Sequence, residues 1–356
     1  MVARIRVLCM TQQWILVKHA SGHVKLDGPN RNFDLVEREL PQLQDNQLLV
    51  KVIAFANDPI LRTWIAPDID ASRFYKTPMS LGSVVDAYAL AVVQESRSQA
   101  FKAGDHVITE TGWTELAMVS AGAVQLVDPL PKDLSMTLYL GSLGYTGLTA
   151  YFSLNDVLQA TKDDVILVSG AAGATGSMIV QIAKKLIGCR KVIGIAGGAE
   201  KCRWVESLGA DVCLDYKSST FKDDLVKATP GPEDFINAFH DNVGGKVLEA
   251  GLSRMALRGR VAACGDISNY NDEDTGLKNW LEVVKMRLQI RGLVVFDFAT
   301  RFGEALRILT DAVINGKLDV GSSEHIVDAP LKDVPKVWTT IFQGANTGKL
   351  VTRLQS

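Results

Sequence analysis

At 356 residues the chain is long for one domain and comfortable for two. Its 47% hydrophobic and 22% charged content is that of an ordinary globular protein, and 38 Lys plus Arg against 40 Asp plus Glu leave a net charge of −2. That balance gives no electrostatic reason to expect nucleic acid or an anionic membrane as partner, and no stretch reaches the roughly 18 apolar residues of a spanning helix.

The five cysteines, Cys9, Cys189, Cys202, Cys213 and Cys264, form no CxxC pair and no even framework, which fits a reducing compartment. The opening MVARIRVLCMTQQWILV has neither the long apolar core nor the small-residue cleavage site of a signal peptide. A cytoplasmic location is expected.

The first 140 residues read as β-rich. QWILVK at 13–18, QLLVKVIAF at 47–55, the run at 84–94 and DHVIT at 105–109 are strand-like, KAGD at 102–105 is a turn, and Leu130-Pro131 marks a boundary. Short strands with glycine and proline punctuation predict a compact barrel-like β unit.

From about residue 138 helix and strand alternate. Strands are expected at 164–169, 191–196, 211–214, 235–240, 260–264 and 288–295, with helices at 200–208, 221–228, 246–255 and 301–313. Six strands separated by helices describe a doubly wound dinucleotide fold. The last 40 or so residues hold EHIVDAP, a helix at 334–342 and LVTRL, and are expected to return to the first domain. The expected layout is a β-rich domain at 1–140 and 315–356 and a dinucleotide-binding domain at 141–314.

The run VILVSGAAGATGS at 165–177 organises the second domain. Four apolar residues form a buried strand, Gly170, Gly173 and Gly176 make the turn, and MIVQIAKKL continues at helical intervals. Glycine lets backbone approach a pyrophosphate, and the helix N-terminus offers unbonded N–H groups with a positive dipole end. A glycine triplet alone is a weak signal; the strand, the helix and the following strand KVIGIA give it context.

Nucleotide choice is read one strand later. An enzyme selecting NAD wants a carboxylate there for the ribose 2′-hydroxyl. This chain has Ala196, Gly197 and Gly198, then Lys201, with Arg203 nearby, which favours a 2′-phosphate and hence NADP(H). The plain alternative for Lys201 is a solvated helical lysine; Tyr216 either flanks the adenosine or caps the sheet. His19, His23, His106, His240 and His325 show no ligand spacing, so no metal is expected.

On these residues the chain resembles the medium-chain dehydrogenases/reductases, within them the zinc-independent double-bond reductases that include prostaglandin/leukotriene reductases and plant alkenal reductases. The resemblance covers nearly the whole chain. It is carried by DPILR at 58–62, LGSLGYTGLTAYF at 140–152, SGAAGATGS at 169–177, GAEK at 198–201, LGADVCLDYK at 208–217, DNVGG at 241–245, GDISNYN at 265–271, RGLVVFDF at 291–298 and NTGK at 346–349. It implies a GroES-like β-rich domain joined to a Rossmann domain.

The resemblance also implies hydride transfer from NADPH to the β-carbon of an α,β-unsaturated ketone or aldehyde, with a proton added at the α-carbon. Nicotinamide must lie against the alkene, and something must stabilise the enolate oxygen. By resemblance Tyr270 is that donor, assisted by the cofactor ribose; a loop tyrosine on a cleft wall is the other reading. Ala172, Gly173, Thr175 and Gly176 would line the pyrophosphate turn, and Gly197, Lys201 and Tyr216 the 2′-phosphate side. Asn242 and Asn346 would sit near the cofactor, although Asn242 is equally a turn former before Gly244 and Gly245.

Asn57, Ile60, Trp64 and Tyr270 are the expected substrate pocket. Ile60 departs from the family's frequent tyrosine in this block, which removes a polar contact and points to a more apolar pocket. The polar NYNDEDT at 269–275 is a candidate flap. Partners are then a small α,β-unsaturated carbonyl compound and, by pairing of sheet edges across a two-fold axis, a second copy of the chain. A zinc-independent NADPH quinone reductase is the competing enzyme, a zinc alcohol dehydrogenase a more distant one, and a non-catalytic NADPH-binding redox sensor the competing class.

Overall fold

A computed structural model describes residues 10–131, 134–272 and 276–355. Cys9 and part of the candidate flap, 273–275, lie outside the described residues. The chain divides into two compact units, 1–140 with 326–341 and 351–356, and 141–325 with 342–350.

The first unit opens with the antiparallel ribbon β1 (Met10–Leu16) and β2 (Phe33–Glu39). Then come β3 (Gln47–Ala56), β4 (Tyr88–Ser96), β5 (His106–Glu110), β6 (Leu116–Ser120) and β7 (Gln125–Leu126). Strand β3 pairs antiparallel with both β4 and β6, and its register with β4 shifts at Leu49/Val50 and Val52/Ala54. Such bulges raise local twist and let a sheet curl. Leu48, Val50, Ala91, Val93 and Val107 bury the inward face. Strands β2 and β6 were not legible in the sequence, β2 because FDLVERE carries three acidic residues and an arginine across its pattern.

The second unit is built on β8 (Val165–Val168), β9 (Lys191–Ala196), β10 (Val212–Asp215), β11 (Ile236–Asp241), β12 (Met255–Ala263) and β13 (Gln289–Gly292). They form one parallel sheet in the order β10-β9-β8-β11-β12-β13. The order reverses direction between β8 and β11, the switch point outside whose carboxyl ends such sheets bind ligands. All four residues of β8 are fully buried, as a central parallel strand with helices on both faces requires. The helix expected to reach residue 255 stops at Leu252, because Met255 already begins β12.

Strands β14 (Glu324–Ala329) and β15 (Lys349–Leu354) complete the chain, and β15 pairs with β3. The boundaries differ from the expected layout. Residues 315–325 and 342–350 belong to the second unit rather than the first. Specific bonds explain this: the Gln181 amide donates to Asp319 O at 2.9 Å and accepts from Asp319 N at 2.7 Å, and Gly348 N donates to Ala172 O at 2.8 Å.

Candidate active site

The turn after β8 has the anatomy of an anion cradle. Gly170 takes φ +59°, in the left-handed region, and Gly173 N donates to Gly170 O at 2.9 Å to close the turn. A Cβ on Gly176 would stand 2.2 Å from Gly170 O and 2.8 Å from Ala171 Cα, so only glycine permits this approach. The helix Ala174–Gln181 begins at Gly173 with no side chain capping it, and its first-turn N–H groups, including those of Thr175 and Gly176, have no intrahelical acceptor. Ala172, 5% exposed, gives its carbonyl to Gly348. These features fit a dinucleotide pyrophosphate.

Behind the turn lies a polar network that sequence reading assigned only in part. Ser169 Oγ donates to Asp241 Oδ1 at 2.6 Å and accepts from Asn242 N at 2.8 Å. The Asp241 carboxylate also accepts from Val243 N and Gly244 N, at 3.2 and 3.0 Å. Burial pushes its pKa up, opposed by those three donors. The Asn242 side chain donates from Nδ2 to Ser169 O at 2.8 Å, and its Oδ1 lies 3.0 Å from His240 Nε2. Ser153 Oγ approaches His240 Nδ1 at 2.6 Å. His240 is fully buried, and burial lowers its pKa to about 4. Asn242 thus spends its amide within the protein, tying the ends of β8 and β11 together.

A second polar group gathers at the ends of β9 and β10. Gly197 lies under Tyr216 and Lys217: a Cβ there would come within 2.8 Å of Tyr216 Cε1 and 3.0 Å of Lys217 Cε. Asp215 Oδ1 accepts from Gly198 N and Lys217 N, which fixes both turns and occupies that carboxylate. Tyr216 is 48% exposed. The Lys201 ammonium donates to Gly344 O at 2.9 Å and Asn346 O at 2.6 Å, so it is not a loose solvated lysine. Burial, and then the charge of Lys217, lower its pKa. Asn346 bonds Gly348 O through its amide at 2.8 Å. Lys217 escaped sequence reading, though a cation directly after Tyr216 was the available signal.

Tyr270 belongs to the loop after β12, and its hydroxyl accepts from Asp266 N at 3.3 Å. That loop packs on the DNVGG turn. Gly244, at φ +72°, would drive a Cβ to 1.7 Å from Asp266 Oδ1, and a Cβ on Gly245 would meet Ser268 Oγ at 2.8 Å. The two glycines therefore set where the Tyr270 loop starts. Tyr270 and the coenzyme residues all lie in the second unit.

Asn57, Ile60 and Trp64 lie in the first unit. Asn57 follows β3, is 2% exposed and donates from Nδ2 to Thr352 Oγ1 at 2.9 Å; its Oδ1 is buried without a partner. Ile60 is half-buried and its carbonyl accepts from Thr63 Oγ1 at 2.8 Å. Trp64 donates to the Tyr75 hydroxyl at 2.9 Å, and Lys76 Nζ sits 4.1 Å above its ring while pairing with Asp86 and Glu110. One face of this indole is thereby covered by a cation.

Among the described residues no three His, Cys, Asp or Glu side chains come together as a metal site. Nor is any helix among them long and apolar enough to cross a membrane.

Two family models match the chain, one described as the N-terminal domain of oxidoreductase over residues 12–127 and one as zinc-binding dehydrogenase over residues 174–311. Among the described residues no donor set fits the zinc of the second description. An uncharacterized membrane protein of Saccharomyces cerevisiae is 36% identical, covering 98% of this chain and all of its own. Prostaglandin reductase 1 of Bos taurus is 33% identical, covering 96% of this chain and 98% of its own. The crystal structure of CurA from Vibrio vulnificus in complex with NADPH superposes with a TM-score of 0.84 at 30% identity, over 97% of this chain and 99% of that one.

Proposed function

This chain belongs to the zinc-independent medium-chain dehydrogenases/reductases, with relatives among the prostaglandin, alkenal and curcumin reductases, and on that footing we propose that it reduces the carbon–carbon double bond of α,β-unsaturated ketones and aldehydes with NADPH. The observation that carries the reading is the pairing of two sites along the carboxyl edge of one sheet. One is the glycine turn after β8; the other is the Lys201, Tyr216 and Lys217 group over Gly197. Two mutually repelling ammonium groups beside a turn whose carboxylate is already spent fit a 2′-phosphate and not a 2′-hydroxyl.

In this proposal the first-turn N–H groups at Ala174, Thr175 and Gly176 orient the pyrophosphate, and Asn346 shapes the loop bonded to Ala172. The chemistry that NADPH supplies when bound is a hydride for the β-carbon. Tyr270 is assigned the hydrogen bond to the substrate oxygen as it gains enolate charge, its own oxygen held by the Asp266 N–H. Asn57, Ile60 and Trp64 are proposed as substrate contacts on the first unit. Of these, Ile60 offers a half-buried apolar side chain.

The test is NADPH consumption against a panel of enones, enals and quinones, with NADH as control. Tyr270→Phe is expected to lower enone turnover by roughly 10²- to 10³-fold, the usual effect of losing one oxyanion donor. Tight NADPH binding with no enone or enal reduced would overturn the reading in favour of a non-catalytic role.

A further inference from the structure

His240 sits at the carboxyl end of β11, beside the switch point, with both ring nitrogens bonded to side chains rather than backbone. The direction of every bond in the chain can be deduced. Ser169 O can only accept, so the Asn242 amide must present Nδ2 to it and Oδ1 to the ring. An amide oxygen only accepts, so His240 Nε2 carries the proton. The ring is neutral at ordinary pH, because full burial disfavours its charged form. Nδ1 is therefore an acceptor and Ser153 Oγ–H donates to it. Ser153 belongs to the final turns of the helical segment that starts at Tyr145.

We infer that His240 is a positioning residue for coenzyme binding: through Asn242 it fixes Ser169, and with it the backbone entering the glycine turn at Gly170. A Cβ on Gly170 would already be in contact with Asn242 Cβ at 3.5 Å, so displacement of Asn242 is felt directly by the turn. Ser169 Oγ passes the constraint on to Asp241, whose carboxylate holds the N–H groups of Val243 and Gly244. A core histidine that only filled space would leave the turn indifferent to its hydrogen bonds; this one donates to the Oδ1 of the same amide whose Nδ2 holds Ser169 O. The inference rests on the proposed binding of NADPH at that turn.

His240→Phe keeps a ring of similar size and removes both bonds, leaving Asn242 Oδ1 without its donor. It is expected to raise the NADPH Kd and KM about tenfold, as for one orphaned buried acceptor, with kcat at saturating NADPH within about twofold. NADH should weaken by the same factor, since the pyrophosphate is common to both coenzymes. His240→Gln, whose amide nitrogen can stand in for Nε2–H, should recover binding to within about threefold of the unsubstituted protein. A merely structural histidine predicts a lower Tm in both variants with KM unchanged, and that result overturns the inference. If His240→Phe fails to fold, Ser153→Ala takes its place: a rise of about threefold in Kd supports the relay and an unchanged Kd sinks it. An unsubstituted protein that binds no NADPH overturns the coenzyme reading itself, whereas normal binding with an indifferent His240→Phe removes only the relay.

Discussion

The turn after β8 and the turn after β9 are neighbours on one sheet edge, yet they are made by opposite means. At β8 the chain is held from behind by polar groups, buried Ser169, Asp241 and His240 with half-buried Asn242, each bond assigned a direction and no cation involved. At β9 the holding groups are charged, with half-buried Lys201 on two carbonyls and exposed Lys217 over a glycine. On the proposed reading the first arrangement would fix geometry for the pyrophosphate, which every dinucleotide has, and the second would supply charge for the 2′-phosphate, which only one kind carries. Shape recognition tolerates no displacement, while charge recognition tolerates displacement and is weakened by salt.

That contrast can be broken at its strongest point by Gly176→Ala. The new Cβ would overlap backbone on both Gly170 and Ala171, which cannot swing aside as a side chain can. We expect a loss of about 3 kcal/mol or more, read as a lower Tm and a rise of roughly 100-fold in Kd for NADPH and NADH alike.

Acid should separate the two turns next. His240 is neutral in the folded protein down to about pH 4, whereas in the unfolded chain it titrates near the ordinary 6.5 of an imidazole. The unfolded chain therefore binds the proton first, so stability falls as pH drops from about 6.5 to about 4 and is indifferent to this residue above that window. The loss is at most about 3–4 kcal/mol, and His240→Gln should abolish it. Urea unfolding of both proteins at about pH 7 and about pH 4.5 measures the difference; identical pH slopes would show that the ring is not buried neutral.

The charged turn should give smaller and selective effects. Lys217→Ala is expected to raise the NADPH KM about tenfold and leave NADH within about twofold. Lys201→Ala should raise the NADPH KM by less than about tenfold and still favour NADH over NADPH relative to the unsubstituted protein, with a smaller common loss because its ammonium also holds the Gly344 and Asn346 carbonyls. Equal effects on NADPH and NADH in both variants would remove the two lysines from the 2′-phosphate role.

Legibility in the sequence followed how local each feature was. Strand β8, its three glycines and the following helix could be read in a window of about 20 residues, because a buried strand and a glycine turn each leave a local pattern. Lys201 was found from the missing carboxylate, but its two carbonyl partners lie 143 and 145 residues further on and left no local sign. Asn242 could be read as a turn former; its bonds to Ser169, 73 residues earlier, could not. The same distance hid the true extent of the second unit, since Asp319 is tied to Gln181 across 138 residues.

What the residues determined unaided is the alternation of apolar strand and helix, the glycine spacing that admits a phosphate, and the cation where a carboxylate was due. These depend on periodicity and on residues near one another in the chain, which any sequence displays. What only the folded chain decided is which polar atoms face each other: that Ser153 reaches His240, that His240 orients Asn242, and that the 342–350 segment closes over the glycine turn. Hydrogen-bond partners are chosen by the packing of distant strands, and a buried donor is committed only when the sheet brings it an acceptor.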